Sequence, residues 1–194
     1  MNPTVEHWYH IIGLNARDAL RDDWKFPVDV STGIWRCDPT VALKPLWLEL
    51  MKERLNAEIP SLMVFHKPAN FTNHVAHIDL LTSNYKPRIF ALNWLLGGLH
   101  SEMRWYKTPT KPKTVLLTPA GTPYKQWPVS ELTQVDSCDI GANLTFVRTD
   151  SPHAIFTQNE SRWCFSIRPV FKNRSQPTTW EDAVATFQHL LISR

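Results

Sequence analysis

Between Ser61 and Pro169 apolar and polar residues alternate in short runs, broken by Pro, Gly, Asn and Asp. That period of two belongs to half-buried strands. The spacing predicts eight or nine strands, with candidates over 61–66, 74–80, 88–96, 102–107, 113–118, 127–133, 143–149, 153–157 and 162–169. Strands at that spacing fit a mainly β barrel or jelly roll. Gly97-Gly98 marks a turn between two of them. Lys107 to Lys113 reads as a Pro-interrupted loop with a solvated tip.

Two stretches follow a helical period instead. Over 40–57, Leu43, Leu46, Trp47, Leu50, Met51 and Leu55 recur near every 3.6 residues, with Pro45 tolerable only near the first turn. At the other end, Thr178-Thr179-Trp180-Glu181 reads as a capping box with Thr178 as N-cap. Trp180, Val184, Phe187, Leu190 and Leu191 then form the apolar face of a helix over about 179–193. Its expected role is to cover the barrel or an edge strand, and it is also the candidate contact with a second subunit. Trp8-Tyr9-His10-Ile11-Ile12 reads as a short strand within an otherwise aperiodic N-terminal segment. The chain is expected to be one domain over 1–194, with the barrel core at about 61–170, the N-terminal segment and helix at 1–60 and the C-terminal helix after it.

The chemistry centres on Ala76-His77-Ile78-Asp79-Leu80. On a strand, residues i and i+2 share a face, so His77 and Asp79 place an imidazole and a carboxylate side by side. These are two of the three groups of a 2-His-1-carboxylate facial triad. The candidate for the third is His153, in Thr149-Asp150-Ser151-Pro152-His153-Ala154. Nine positions later an alternating run begins: Arg162, Cys164, Ser166 and Arg168 on one face, Trp163, Phe165 and Ile167 on the other. The plainer reading makes His77 and Asp79 an ion pair or buried hydrogen bond, with His153 a loop residue. His7 and His10 are more ordinary still, because an i, i+3 pair in an apolar segment is seldom a ligand set.

In this order, His-x-Asp, then His, then Arg, the sequence resembles the Fe(II)/2-oxoglutarate dioxygenases, over roughly residues 61–170. The phrase Pro152-His153-Ala154 before a polar loop resembles their small stand-alone bacterial and phage members. Arg88-Ile89-Phe90-Ala91-Leu92-Asn93-Trp94 is more loosely similar to a strand of the aspartyl/asparaginyl β-hydroxylase branch. That branch usually lacks the triad carboxylate, which Asp79 supplies here. The resemblance implies a double-stranded β-helix, cupin-like, with His77, Asp79 and His153 as Fe(II) ligands. It implies 2-oxoglutarate and O₂ as co-substrates, with Arg162 pairing the far carboxylate of 2-oxoglutarate. Ser166 on the same strand face, Arg88, Arg168 and Asn93 are further candidates for that co-substrate. The implied reaction hydroxylates a C–H bond of a small molecule or an amino-acid or peptide substrate and releases succinate. Trp94, Trp105 and Tyr106 are candidates for the mouth of the site, although core packing is their plainer role. Two other readings stay open. One is a different metal-dependent cupin enzyme, drawing on His66 or His74. His74 and His77 are three apart, which puts them on opposite faces of a regular strand. The other is a non-catalytic barrel that holds a small ligand.

Composition narrows the setting. The chain has 194 residues, 43% hydrophobic and 20% charged, which supports a sizeable core. A net charge of +3 gives no specific nucleic-acid signal. Nine Trp residues are many for this length, and large aromatics line pockets as well as cores. Cys37, Cys138 and Cys164 are odd in number and contain no C-x-x-C pair, so reduced thiols in the cytoplasm are expected. No secretory signal or transmembrane run is read from the sequence, so no membrane partner is expected.

Overall fold

The computed structural model describes residues 6–15, 18–27, 33–72, 74–98, 100–107, 114–172 and 175–192. In chain order the elements begin with β1 (Trp8–Asn15), β2 (Ile34–Cys37), α1 (Pro39–Ala42), α2 (Pro45–Leu55), β3 (Ala57–Glu58), β4 (Leu62–Lys67), β5 (Val75–Asp79) and β6 (Phe90–Gly97). They continue with β7 (Glu102–Tyr106), β8 (Leu116–Leu117), β9 (Pro123–Pro128), β10 (Gln134–Asp139), β11 (Asn143–Arg148) and β12 (His153–Phe156). The last are β13 (Arg162–Ile167), β14 (Val170–Phe171), α3 (Trp180–Phe187) and β15 (Leu191–Ile192). The protein is mainly β, and its strands pair antiparallel. The larger sheet runs β15-β1-β11-β6-β13-β4-β2 and the smaller β10-β7-β12-β5-β9-β8, both open in order.

The alternation along each strand decides what lies on either side of the larger sheet. Leu62 and Val64, Leu92 and Trp94, Phe146, Phe165 and Ile167 point outward and are fully buried under the helices. Trp94 stacks on Phe165 with ring centroids 5.3 Å apart, and Phe146 on Trp180 of α3 at 4.8 Å. Each such side chain contributes roughly 1.5–3 kcal/mol by leaving water. The opposite face of the same strands carries Ala91, Leu95, Val147 and Cys164, which meet Met103 and Trp105 of the smaller sheet. The polar residues Asn93 and Ser166 share that inner face and line a cavity between the two sheets.

Local chemistry corrects several sequence expectations. The helix expected over 40–57 is two helices. Asp38 caps α1 by accepting from the Thr40 amide at 2.8 Å. Leu43 is then extended, and Lys44, which precedes Pro45, is held out of the helical region, so α2 restarts with Pro45 in its first turn. Its buried residues are Leu48, Met51 and Leu55; Leu46 is exposed, contrary to the expected apolar face. The helix ends at Asn56, in the left-handed region at φ 48°. In α3 the N-cap is Thr179, accepting from the Asp182 amide, rather than Thr178. The helix stops at Phe187, and Leu191–Ile192 turns into β15 beside β1, so the helix expected to reach 193 is shorter. Trp180, Ala183 and Phe187 are buried within the chain's own core.

The strand expected at 127–133 lies at 123–128, and β10, unforeseen, follows it. The loop over 157–161 does not fold β13 back on β12; it carries the chain from the smaller sheet to the larger. The expected loop tip at 108–113 lies outside the described residues.

Gly97 and Gly98 both take φ +70°. At Gly98 an added Cβ would lie 2.4 Å from the Arg162 Cβ. Gly121, at φ +73°, has nothing within 4 Å of an added Cβ. Gly121→Ala therefore carries backbone strain alone, and Gly98→Ala carries strain plus a clash. In urea titrations Gly98→Ala is expected to lose about 1–3 kcal/mol more stability than Gly121→Ala.

Candidate metal centre

In β5 and β12 the strands run antiparallel with His77 directly opposite His153. Directly opposed residues of an antiparallel pair share a face, and Asp79, two residues along β5, joins them. The result is a group in which each side chain offers one ligand atom and all three atoms lie within 4.8 Å of one another. It is the one such group of His, Cys, Asp and Glu among the described residues. The two imidazole centroids are 4.4 Å apart, and His77 Nε2 is 3.8 Å from Asp79 Oδ1.

Each ligand candidate is held from behind. His153 is buried, and its Nδ1 sits 3.0 Å from the Ser151 carbonyl. A carbonyl only accepts, so Nδ1 carries the proton and Nε2 keeps its lone pair. Burial lowers the pKa of His153, partly offset by Asp79. Burial, with His153 beside it, lowers that of His77 to about 3. Both rings are thus neutral near pH 7, the form that binds a metal. Burial pushes the Asp79 carboxyl up, but Arg168, aided by the neighbouring imidazoles and Arg88, outweighs it and holds the carboxyl below its ordinary value. Arg168 Nη2 donates to Asp79 Oδ2 at 2.5 Å, which leaves Oδ1 on the histidine side. The carboxylate is ionised and fixed in orientation.

The group opens into a cavity of about 270 Å³. Across it, the larger sheet places Asn93 and Ser166 in register on β6 and β13. The Asn93 Oδ1 atom is buried without a hydrogen-bond partner. At the far end Arg162, only 2% exposed, reaches the Ser101 hydroxyl at 3.1 Å, while its Nε has no partner. Lys67 stands in register with Arg162 and also lines the cavity. Burial lowers the pKa of both cations; Arg162 lowers that of Lys67 further, whereas Cys164 and Asp139 partly offset the effect on Arg162. Neither Arg162 nor Lys67 has a carboxylate partner among the described residues. Arg168 and Arg162 therefore stand at opposite ends of the cavity, one bound to Asp79 and the other without a counter-ion.

The other candidates fall elsewhere. Arg88 lies at the Asp79 end, its amide donating to the Asp79 carbonyl at 2.8 Å. Trp94 and Trp105 are fully buried core, and Tyr106 packs in a separate cluster with Ala76 and Ala154, so none of the three lines the cavity. β6, which carries Trp94, lies in the sheet opposite β5 rather than beside it. His66 packs against Trp163 at 4.5 Å and His74 is exposed; neither belongs to the ligand group. His7 lies 3.3 Å from the Asp136 carboxylate, away from the cavity.

Among the cavity residues that went unread in the sequence are Lys67, Tyr124 and Gln126. Lys67 ends β4 one residue past the expected strand. Tyr124 and Gln126 stand opposite Asp79 and His77 on β9, a strand expected further along. Their signal was the alternation Tyr124, Gln126, Pro128, masked by prolines at both strand ends. A scan against protein-family models finds no match for this chain, and a search of curated proteins also finds none.

Two outcomes follow. His77→Ala, Asp79→Ala and His153→Ala should each greatly weaken binding of Fe(II), read by anaerobic titration, while circular dichroism stays that of the wild type. An Asp79→Ala protein with unchanged affinity would remove the carboxylate from the ligand set. The lowered imidazole pKa values also set a pH dependence. The unfolded chain takes up a proton at His77 near pH 6.5, while the folded chain does so only near 3. Stability of the metal-free protein is full above 6.5 and falls as pH drops towards 3, by up to about 1.4 kcal/mol per pH unit for this residue. Urea titrations at pH 7 and 5 should show a smaller fall in His77→Gln.

Proposed function

We propose that this protein is a non-haem Fe(II)- and 2-oxoglutarate-dependent oxygenase that hydroxylates a C–H bond. The observation that carries the reading is the pairing of a two-histidine, one-carboxylate group with a buried, counter-ion-free Arg162 at the other end of the same cavity. Two neutral imidazoles and an ionised carboxylate are a donor set suited to Fe(II), and all three side chains line the cavity. The arrangement of two facing antiparallel sheets, with the ligands on one and the cations on the other, supports the reading of the fold as a double-stranded β-helix.

On this reading each residue has a task. His77, Asp79 and His153 hold the iron. Arg168 orients Asp79 so that one oxygen faces the metal. Arg162 receives the distal carboxylate of 2-oxoglutarate through its planar fork, and Lys67 adds a second positive charge there. Ser166 and Asn93, midway along the opposite wall, are placed to donate hydrogen bonds to the oxygens between the two ends. The apolar lining from Phe65, Met103 and Ile155 excludes water and strengthens each of these contacts. The bound iron and 2-oxoglutarate, with O₂, supply the oxidation, and decarboxylation yields succinate and CO₂.

The two arginines should separate in function. Arg162→Ala removes the partner of a buried carboxylate, a loss of roughly 3–5 kcal/mol. It is expected to raise the 2-oxoglutarate requirement on the order of a hundredfold or more, with iron affinity little changed. Arg168→Ala frees Asp79 and is expected to lower iron affinity about 10–100-fold, with a smaller effect on 2-oxoglutarate. Succinate formation titrated separately with each component reads both. The reverse pattern would make Arg168 the anchor, and no succinate from any form would remove the reading.

A further inference from the structure

The ligand group has a polar neighbour on its second flank. His77 stands opposite His153 of β12 on one side and opposite Gln126 of β9 on the other, and Asp79 stands opposite Tyr124. Opposed residues of an antiparallel pair share a face, so Gln126 and Tyr124 point into the cavity with the histidines, and both line it. The Tyr124 ring meets the His77 ring edge-on, with centroids 6.2 Å apart. Both side chains are half-buried, and neither makes a side-chain hydrogen bond among the described residues. The charged residues that line the cavity are Lys67, Asp79, Arg162 and Arg168, and none of them is on β9. The wall from the turn before β9 to its middle is neutral: Thr118, Pro119, Thr122, Tyr124 and Gln126. Thr118 is engaged within that turn, its hydroxyl accepting from the Thr122 amide at 3.0 Å. Gln126 and Tyr124 are therefore polar groups beside the ligand group that neither the turn nor the cations engage.

Water satisfies such groups in an open cavity. A ligand that displaces the water keeps its affinity only if it replaces the hydrogen bonds lost. A Gln carboxamide offers an acceptor and a donor side by side in one plane. Its full complement is a neutral group with a donor and an acceptor also side by side, as in a primary carboxamide or the cis amide of a lactam. A carboxylate would set an acceptor against the Gln oxygen. A trans peptide amide holds its N–H and C=O on opposite sides and fills only one of the two positions. We propose that Gln126 receives a carboxamide or lactam edge carried by the substrate, through two paired hydrogen bonds, with the Tyr124 hydroxyl as a third contact. Residues two apart on one strand are separated by roughly 7 Å, so both can reach one such group. An apolar remainder of the ligand then lies towards Ile34, Phe71 and Pro119, which belong to the more exposed part of the lining. Naming this ligand the substrate rests on the oxygenase reading; the amide site itself does not.

The test measures binding to the full chain, loaded with redox-inert Zn(II) and saturating 2-oxoglutarate, by ligand-observed NMR titration. One arm compares hexanamide with N,N-dimethylhexanamide, and the other δ-valerolactam with its N-methyl derivative. Methylation removes the donor and keeps the acceptor. In at least one arm the parent should bind at least about tenfold more tightly, and that arm identifies the source of the amide. Gln126→Met, close in volume, should abolish the preference, and Tyr124→Phe should weaken binding of the parent severalfold. Gln126→Ala, which adds no bulk, decides the matter if Gln126→Met fails to fold. Equal binding within both arms, or binding of neither parent, would overturn the proposal. So would a preference that survives in the folded Gln126 variants, because the bulk of the methyl groups alone would give it. A parallel succinate assay separates the two readings. A protein that forms no succinate yet keeps the Gln126-dependent preference retains the amide site and loses the oxygenase reading. One that forms succinate without the preference does the opposite.

Discussion

His77 and His153 face each other across one pair of antiparallel strands, and the rest of the site depends on that register. A shift of one residue in either strand would turn its imidazole to the other side of the sheet. The register is secured on both flanks. β9 pairs with five successive residues of β5, and β7 pairs with all four residues of β12. Beside His153 on the neighbouring strand β7, Trp105 is fully buried and donates its indole N–H to the Arg148 carbonyl. The ligand group thus sits mid-sheet rather than on a mobile loop, which fixes its geometry before any metal binds.

Charge organises the cavity around that group. One carboxylate, Asp79, faces a cavity lined by Arg162, Lys67 and Arg168. A surface loop would screen such an excess, but here burial magnifies it. The pattern has direction. Arg168 is satisfied by Asp79 at the imidazole end, while Arg162 and Lys67 stand at the other end. A bidentate acid bound to the metal and reaching Arg162 would span the two. The outer face of the larger sheet, filled by Trp94, Phe165 and Phe146 under the helices, gives the cavity wall an apolar backing.

Much of this was legible in the sequence, for reasons that can be named. The His-x-Asp spacing puts both side chains on one strand face wherever the strand lies, so the pair survived errors elsewhere. The alternation from Arg162 to Arg168 gave the correct inner and outer sets of β13. What failed was whatever depends on partners distant in the chain. Nothing local shows that residues 157–161 pass from one sheet to the other, so the positions of Arg162 and Arg168 relative to His77, Asp79 and His153 could not be read. Prolines hid β9, and with it Tyr124 and Gln126. The double proline geometry at 39 and 45 split a helix whose apolar spacing looked continuous. The apolar stripe of α2 misled because Leu46 faces solvent, while the buried face is set by Leu48, Met51 and Leu55.

The central claim is that three side chains of the smaller sheet hold one Fe(II) with positions left open to a 2-oxo acid. Absorption spectroscopy without O₂ tests it most directly. Adding 2-oxoglutarate to the Fe(II)-loaded wild type should produce a visible band of the chelated 2-oxo acid, and none should form in His153→Ala under the same conditions. A wild type that binds Fe(II) at these residues but gives no band, or a band that persists undiminished in His153→Ala, would contradict the account.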